Sequence, residues 1–337
     1  MQNRVMISTW FVEDSAAEAT YFPQIGSLSN TSEAKLIYWR CVAAFYASSI
    51  HLNSEEMHVF FTNTDLPRVD GVELSELFQH WGVKIVRLPV TYRLPQNSVG
   101  SWGNQFYIFD ILNYLTETPI AEVNIVLDSD VIWIKSAESI VDAIQKNGAL
   151  TYCFSESEYK EAEPINGRTR QQMAAFCTAQ GGVVGRSVDY DGGEIYAARQ
   201  DVTERLVSRV RSIWPKVIAG EPNAPLEEAH LLSILYALEG IEQGTANPYI
   251  RRMWTTFKHN NLSLNDSSLT LWHLPSEKKT GFADLFAKIA SVSQETRADP
   301  RKMEFLNYET YSNFMGWPKR KPQKLLRDLF LKIREKI

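Results

Sequence analysis

Apolar positions along this chain alternate between short solid runs and longer stretches with helical spacing. Residues 4–10 (RVMISTW) read as a short buried strand. Residues 34–52 are apolar on a helical period and rich in Tyr, Trp and Phe, which predicts a buried helix. HVFFT at 58–62 is a strand with a turn after it at 62–65, residues 73–81 a short helix, and KIVRLPV at 84–90 the next strand. Over residues 101–115 the pattern places Trp102, Phe106, Phe109 and Leu112 on one side of a helix. A solid apolar run, Ile125-Val126-Leu127, follows and ends in Asp128 and Asp130. Strands separated by helices of this length imply βαβ units and an α/β fold with a parallel sheet. Ligands of such sheets bind beyond the carboxyl ends of the strands, which is where the aspartates fall.

The second half is less regular. ALTYCF at 149–154 reads as a strand, residues 156–163 as a charged loop, and Gly181-Gly182 and Gly192-Gly193 flank short β-like pieces. Helices are expected at 201–214 and 227–238, and LTLWHL at 269–274 is a late strand. No internal repeat, low-complexity segment or clear interdomain linker interrupts the chain.

At 337 residues the chain has room for one large α/β domain or two smaller ones. With 44% hydrophobic and 22% charged residues it has the balance of a soluble globular protein. A net charge of −5 argues against a nucleic-acid partner, which would call for a basic surface. Cys41, Cys153 and Cys177 are odd in number and lack metal-type spacing, which points to reduced thiols and a cytoplasmic protein. No run is long enough for a membrane span, and the N-terminus lacks a signal-type apolar core. The last segment, 317–337, shifts the picture. It carries eight Lys or Arg against Asp328 and Glu335, with Leu325, Leu326, Leu329, Ile333 and Ile337 on one helical face. Such a helix either packs on the domain with its lysines in water or lies on an anionic membrane surface.

Candidate chemistry centres on NIVLDSDVIW, residues 124–133. Two carboxylates one residue apart repel, so the pair needs a cation or a shared proton. Aspartates after strands also cap helices and turns, which is the structural alternative. A hard divalent ion shared with substrate phosphates is one functional reading. A nucleophile and general acid of a haloacid-dehalogenase-type phosphatase is another. That family usually has its pair near the start of its domain with Thr or Val two residues on; here the pair comes late and Ile132 takes that position. A Rossmann-type redox enzyme is disfavoured, because no G-x-G-x-x-G follows the first strand and no P-loop is present.

VLDSDVIW resembles the metal-binding D-x-D of GT-A glycosyltransferases, which follows several βα units and sits just past a mid-sheet strand. The resemblance implies a GT-A (Rossmann-like) sheet flanked by helices over residues 1–290, with a donor half to about 135 and an acceptor half to 290. Residues 291–337 are then a helical, basic tail. It implies Asp130 as principal ligand of Mn²⁺ or Mg²⁺, with Asp128 toward the ribose, the metal or both, and Ser129 beside the donor. LWHLPSEKKTGF, residues 271–282, is similar to the late H-x-x-G-x-x-K segment of the retaining members related to glycogenin and bacterial lipopolysaccharide glycosyltransferases. There the histidine completes the metal shell and the lysine meets a donor phosphate. His273 and either Lys278 or Lys279 are the matching residues, although Ser276 stands where a glycine is expected and the lysines are shifted. Imidazole as a ligand favours manganese.

YDGGEIYAAR, residues 190–199, resembles the glycine-containing acceptor-side segment of the same enzymes, which would turn Glu194 into the site. PLEEAHLLSILYAL, residues 225–238, opens a helix with Glu227 and Glu228, which the helix dipole alone would favour. Spacing does not choose among the three glutamates for the group nearest the acceptor hydroxyl. Ser8, Thr9 and Trp10 close the first strand, where GT-A proteins contact base and ribose. The helix that starts near Ser101 could offer Trp102, Asn104 and Gln105 to the donor. The implied activity is metal-dependent sugar transfer from a nucleotide diphosphate sugar, UDP-linked by expectation and leaning to retention, onto a glycan or lipid-linked acceptor. Polysaccharide biosynthesis at the inner face of a membrane fits the basic tail. A non-catalytic sugar- or nucleotide-binding protein is the alternative of a different class.

Overall fold

A computed structural model describes residues 4–14, 19–22, 24–95, 103–154, 162–185, 187–256, 259–296, 299–317 and 322–334. The fold is mixed α/β, with a mostly parallel central sheet flanked by helices and a helical C-terminal part. The first half follows the predicted order closely: strand β1 (Val5–Phe11), helix α1 (Ser32–Leu52), β2 (Met57–Thr62), α2 (Leu74–Trp81), β3 (Lys84–Arg87), α3 (Tyr107–Glu117) and β4 (Val123–Leu127). Then come β5 (Val131–Trp133), α4 (Glu138–Asn147), β6 (Ala149–Leu150), α5 (Arg170–Ala179), β7 (Ile195–Arg199), α6 (Gln200–Ile218) and α7 (Glu228–Glu239). The chain ends with β8 (Ile250–Arg252), β9 (Leu271–His273), α8 (Gly281–Thr296), α9 (Tyr308–Met315) and α10 (Pro322–Arg334).

The main sheet has the order β6-β7-β4-β1-β2-β3. β1 pairs in parallel with β2 and β4, and β2 with β3, while β7 runs antiparallel to β4 and to β6. Every residue of β4 is buried, as a solid apolar strand between two neighbours requires. After Leu127 the chain turns at Ser129-Asp130 and changes sheet: β5 joins a small second sheet in the order β8-β9-β5. Residues 84–90 form a shorter strand than predicted. Pro89 cannot donate to a ladder, and the pairing stops after Arg87 apart from one bond from Leu88 N to Thr62 O of 2.9 Å. ALTYCF is likewise strand only at Ala149–Leu150, because the 244–247 loop takes the next backbone groups. Thr151 N donates to Thr245 Oγ1 and Cys153 N to Asn247 Oδ1.

α1 is buried on nearly every face, including the unbroken stretch from Cys41 to Ile50. It packs against β1, β5 and α8. Thr31 caps its start by accepting from Ala34 N, and at its end Asn53 Oδ1 accepts from Ala137 N at 2.7 Å. Ser48 Oγ accepts from Trp133 N, which pins β5 to the helix. Side chains such as Phe45, Phe60 and Phe78 are fully buried around it, each contributing about 1.5–3 kcal/mol by leaving water.

The tail corrects one expectation. α10 presents Leu325, Leu326, Leu329, Phe330 and Ile333 to solvent, while Lys324 is buried. The packed arrangement with apolar residues inward and lysines outward is therefore not the one adopted. Among the described residues no helix is long and apolar enough to cross a membrane.

Burial holds two histidines well below their ordinary range, His58 and His230 each to about 4. His230 uses both ring nitrogens on backbone, accepting from Leu226 N and meeting Ile165 O at 2.9 Å, and His58 pairs with Ser49 Oγ. The unfolded chain takes up these protons near its ordinary value and the folded protein only near pH 4, so acid favours unfolding across that window. Each contributes up to about 1.4 kcal/mol per pH unit there. Denaturant unfolding followed between about pH 6 and 4.5 should lose stability less steeply in His58→Gln than in the native protein. Parallel curves would show that His58 titrates normally in the fold.

Candidate active site

Two sheets meet where the chain leaves β4, and their register assembles the site. Ile195 pairs with Leu127, so Glu194 lies next to Asp128, and Asp128 N donates to Glu194 O at 3.1 Å. His273 pairs with Val131, and Leu274 N donates to Asp130 O at 3.0 Å. Arg252 stands level with His273 in the parallel pair of β8 and β9. Five charged residues from four strand ends thus share one depth.

His273 Nε2 is 3.1 Å from Asp130 Oδ2 and 3.5 Å from Asp128 Oδ2. Lys278 Nζ is 3.2 Å from Asp130 Oδ2 and lies 4.8 Å above the Tyr38 ring. Glu194 forms an ion pair with Arg252 and lies 3.5 Å from His273 Nδ1. A cavity of about 290 Å³ opens over these groups. Its walls include Trp10, Gln105, Ser129, Asn166, Tyr190, Glu227, Glu228 and Trp254.

The charges sort by their partners. Burial and the Asp130 charge push the Asp128 carboxyl up to about 6. Burial would raise Asp130 too, but Lys278 and His273 overcome it and hold that carboxyl far below the usual range. Arg252 and then His273 do the same for Glu194, down to about 2 against the opposing burial. His273 is carried up to about 9 by Asp130 and Glu194 in spite of its burial. The carboxyls of Glu227 and Glu228 go the other way. Burial and the Glu227 charge push Glu228 well above its ordinary value, and burial raises Glu227, moderated by hydrogen bonds from Tyr190 and Asn166.

One donor atom from each of Asp128, Asp130 and His273 lies within 4.8 Å of the other two. Two carboxylates and an imidazole are a donor set suited to Mn²⁺ or Mg²⁺, and the imidazole suits Mn²⁺ better. Glu228 Oε2 and Gln105 Oε1 are buried at the cavity without a hydrogen-bond partner among the described residues. Buried acceptors of that kind call for donors from a ligand.

Among the residues expected at the site, Trp10, Gln105, Asp128, Ser129, Asp130, Glu194, Glu227, Glu228, His273 and Lys278 line the cavity. Ser8 and Thr9 do not. They sit inside the sheet, where Ser8 Oγ donates to Ile125 O and Thr9 N donates to Tyr46 Oη. Lys279 turns away toward Gly26, where an added methyl would lie 3.7 Å from its Nζ. Trp102 lies outside the described residues, as does the side chain of Asn104. Arg252, Tyr38, Asn166 and Tyr190 are site residues that sequence reasoning gave no role. Tyr190 stood inside the quoted YDGGEIYAAR segment, and Arg252 carried no local signal. The glycines of that segment have a definite purpose. A Cβ on Gly192 would overlap Glu194 Oε2, and one on Gly193 would come within 2.5 Å of Glu228 Oε1.

No protein-family model matches the chain, and no curated protein matches it in sequence. Solved structures do resemble it in fold. An active-site mutant of LgtC matches at 12% identity and a TM-score of 0.49, over 85% of this chain and 95% of that one. The galactosyltransferase LgtC in complex with donor and acceptor sugar analogues matches at 12% identity and 0.46, over 87% and 99%. The bifunctional glycosyltransferase WbbM in its apo form matches at 10% identity and 0.48, over 94% of this chain and 52% of that one. At such identities the likeness concerns the course of the chain, and the chemistry rests on this chain's own residues.

If the triad holds a divalent ion, His273→Ala should weaken Mn²⁺ binding by about tenfold or more, read by calorimetry. Lys279→Ala should leave it unchanged. Equal affinity in the native protein and the His273 variant would remove the imidazole from the metal site.

Proposed function

We propose that this protein is a metal-dependent glycosyltransferase that moves a sugar from a nucleotide diphosphate sugar, UDP-linked in the first instance, to a glycan or lipid-linked acceptor. The observation that carries the reading is the convergence of Asp128, Asp130 and His273 on one point with Lys278 beside them, at the floor of a cavity. A bound Mn²⁺ or Mg²⁺ would neutralise the diphosphate as it leaves the anomeric carbon. Lys278 adds a fixed ammonium on the same side, held between Asp130 and the Tyr38 ring and preorganised for a phosphate oxygen. The donor side then draws on both halves of the chain, with Asp128 and Asp130 from the first and His273 and Lys278 from the second.

The carboxyl groups favour retention of configuration. An inverting reaction needs a base within reach of the acceptor hydroxyl and able to take its proton. Glu194 is tied to Arg252 and held strongly acidic, which makes it a weak base. Burial pushes the Glu228 carboxyl well above its ordinary range, which disfavours the carboxylate form that a base requires. Glu227 already accepts from Tyr190 and from Asn166. These groups fit orientation of acceptor hydroxyls better than proton abstraction.

A phosphatase using the same aspartates fits less well. Its second aspartate must be a general acid, whereas Lys278 and His273 hold Asp130 ionised. The exposed leucines and Phe330 of α10, in a segment with eight Lys or Arg, favour contact with an anionic lipid surface. That placement suits a lipid-linked acceptor and a role in polysaccharide biosynthesis at the inner face of a membrane.

Thermal shift with UDP, GDP, CDP and ADP, each with Mn²⁺, Mg²⁺ or a chelator, tests the donor class, because a ligand of the folded state raises the melting temperature. Stabilisation by UDP only with metal, and slow hydrolysis of the UDP-sugar, are expected. Binding without any turnover would identify a non-catalytic protein, and metal-dependent hydrolysis of aryl phosphates without nucleotide preference a phosphatase. Flotation with vesicles rich in phosphatidylglycerol tests the tail: Leu326→Asp with Phe330→Asp should abolish co-flotation. Equal flotation of native protein with neutral phosphatidylcholine vesicles would rule out the anionic component.

A further inference from the structure

α10 buries Lys324 while exposing Leu325, Leu326 and Leu329, and Lys324 reaches the loop that carries Lys278. Lys324 Nζ donates to Glu277 Oε2 at 2.8 Å, with the two residues 6% and 1% exposed. The slot is shaped for this side chain. A Cβ on Gly316 would come within 2.5 Å of Lys324 Cε, and one on Gly281 within 3.1 Å of Glu277 Oε2. Glu277 gathers two further donors, the hydroxyls of Thr255 and Thr280, the latter at 2.7 Å. Ser276 reinforces the first of these, accepting from Thr255 N at 3.1 Å. Glu277 is therefore the point where three segments meet: the tail helix, the Arg252–Trp254 wall of the cavity, and the turn from His273 to Lys278. That turn is short and anchored at its start, with Leu274 N on Asp130 O and Glu277 N on Leu274 O, both at 3.0 Å. Lys278 follows Glu277 directly.

Burying an ion pair is costly in desolvation, and an apolar pair of the same shape is often as stable or more so. An amphipathic helix that sought only stability would turn its leucines inward. The retained pair fixes a position instead. We propose that Lys324 is a positioning residue for Lys278: through Glu277, the seating of α10 sets the geometry of the ammonium group at the diphosphate side of the cavity. This inference rests on the nucleotide-sugar reading for its consequence, and on the buried contacts alone for the link. Displacing α10 would loosen the turn and lower affinity for the donor diphosphate without touching Asp128, Asp130 or His273.

The test uses the full chain with Lys324→Met and Glu277→Gln combined. The glutamine carbonyl can accept from one threonine hydroxyl while its amide donates to the other, and no buried charge is left alone, so the fold is expected to persist. Hydrogen exchange of the free protein should rise in peptides covering residues 271–282 and stay unchanged in β1 and β2. Affinity for UDP with Mn²⁺ should fall by about tenfold in the native background and show no further loss when added to Lys278→Ala. Unchanged exchange at 271–282 would overturn the link. An equal loss of affinity in the Lys278→Ala background would overturn the action through Lys278. A native protein that binds no UDP would refute the reading of the site, while the exchange measurement still decides the link.

Discussion

Two carboxylates fixed side by side at the end of a buried strand are the constraint around which the site is organised. Asp128 and Asp130 repel each other and Asp130 is buried with little water to screen it, so the fold brings cations to the pair. Those cations come from distant parts of the chain. His273 arrives at the end of β9 and Lys278 on the turn after it, while Arg252 arrives with β8 to balance Glu194. The small second sheet is what makes this possible. β5 leaves the main sheet straight after the aspartates and offers an edge on which β9 and then β8 can pair. The change of sheet and the concentration of charge are two sides of one arrangement.

The cavity is electrostatically divided as a result. Its donor side holds ionised groups in close pairs, ready to exchange one cation for another. Its opposite side holds Glu227 and Glu228, whose carboxyls burial pushes up, with Glu227 accepting from Tyr190 and Asn166. On the glycosyltransferase reading proposed above, a diphosphate takes the first side and sugar hydroxyls the second. The two glycines before Glu194 keep the boundary open, since any side chain there would strike a carboxylate.

Much of this was legible in the sequence where the signal was local. The apolar run into Asp128 and Asp130 announced a strand end, and His273 closed another apolar run in the same way. Glu194, Glu227 and Glu228 could be nominated but not ranked, because their roles depend on neighbours far along the chain. Arg252 was invisible for the same reason: its partner is reached only through the pairing of β8 with β9. Lys278 and Lys279 are adjacent, and only the short turn after Leu274 decides which one faces Asp130. Ser8 and Thr9 are buried in the sheet and their side chains do not line the cavity, a direction that the alternation of the strand and its pairing register set together. For α10 the period of the apolar face could be read, whereas the direction it faces depends on a single buried ion pair.

The burial of α1 on nearly all sides has a consequence for how the molecule is made. This helix cannot complete its surroundings with the residues that emerge beside it, because its neighbours include β5, α8 and the 300–302 turn, to which His51 is tied through Pro300 O. The N-terminal strands therefore wait with a long apolar helix uncovered until almost the whole chain has been synthesised. Contacts of such wide sequence separation slow folding and leave intermediates open to aggregation. In these physical terms the N-terminal strands and α1 are not an independent folding unit.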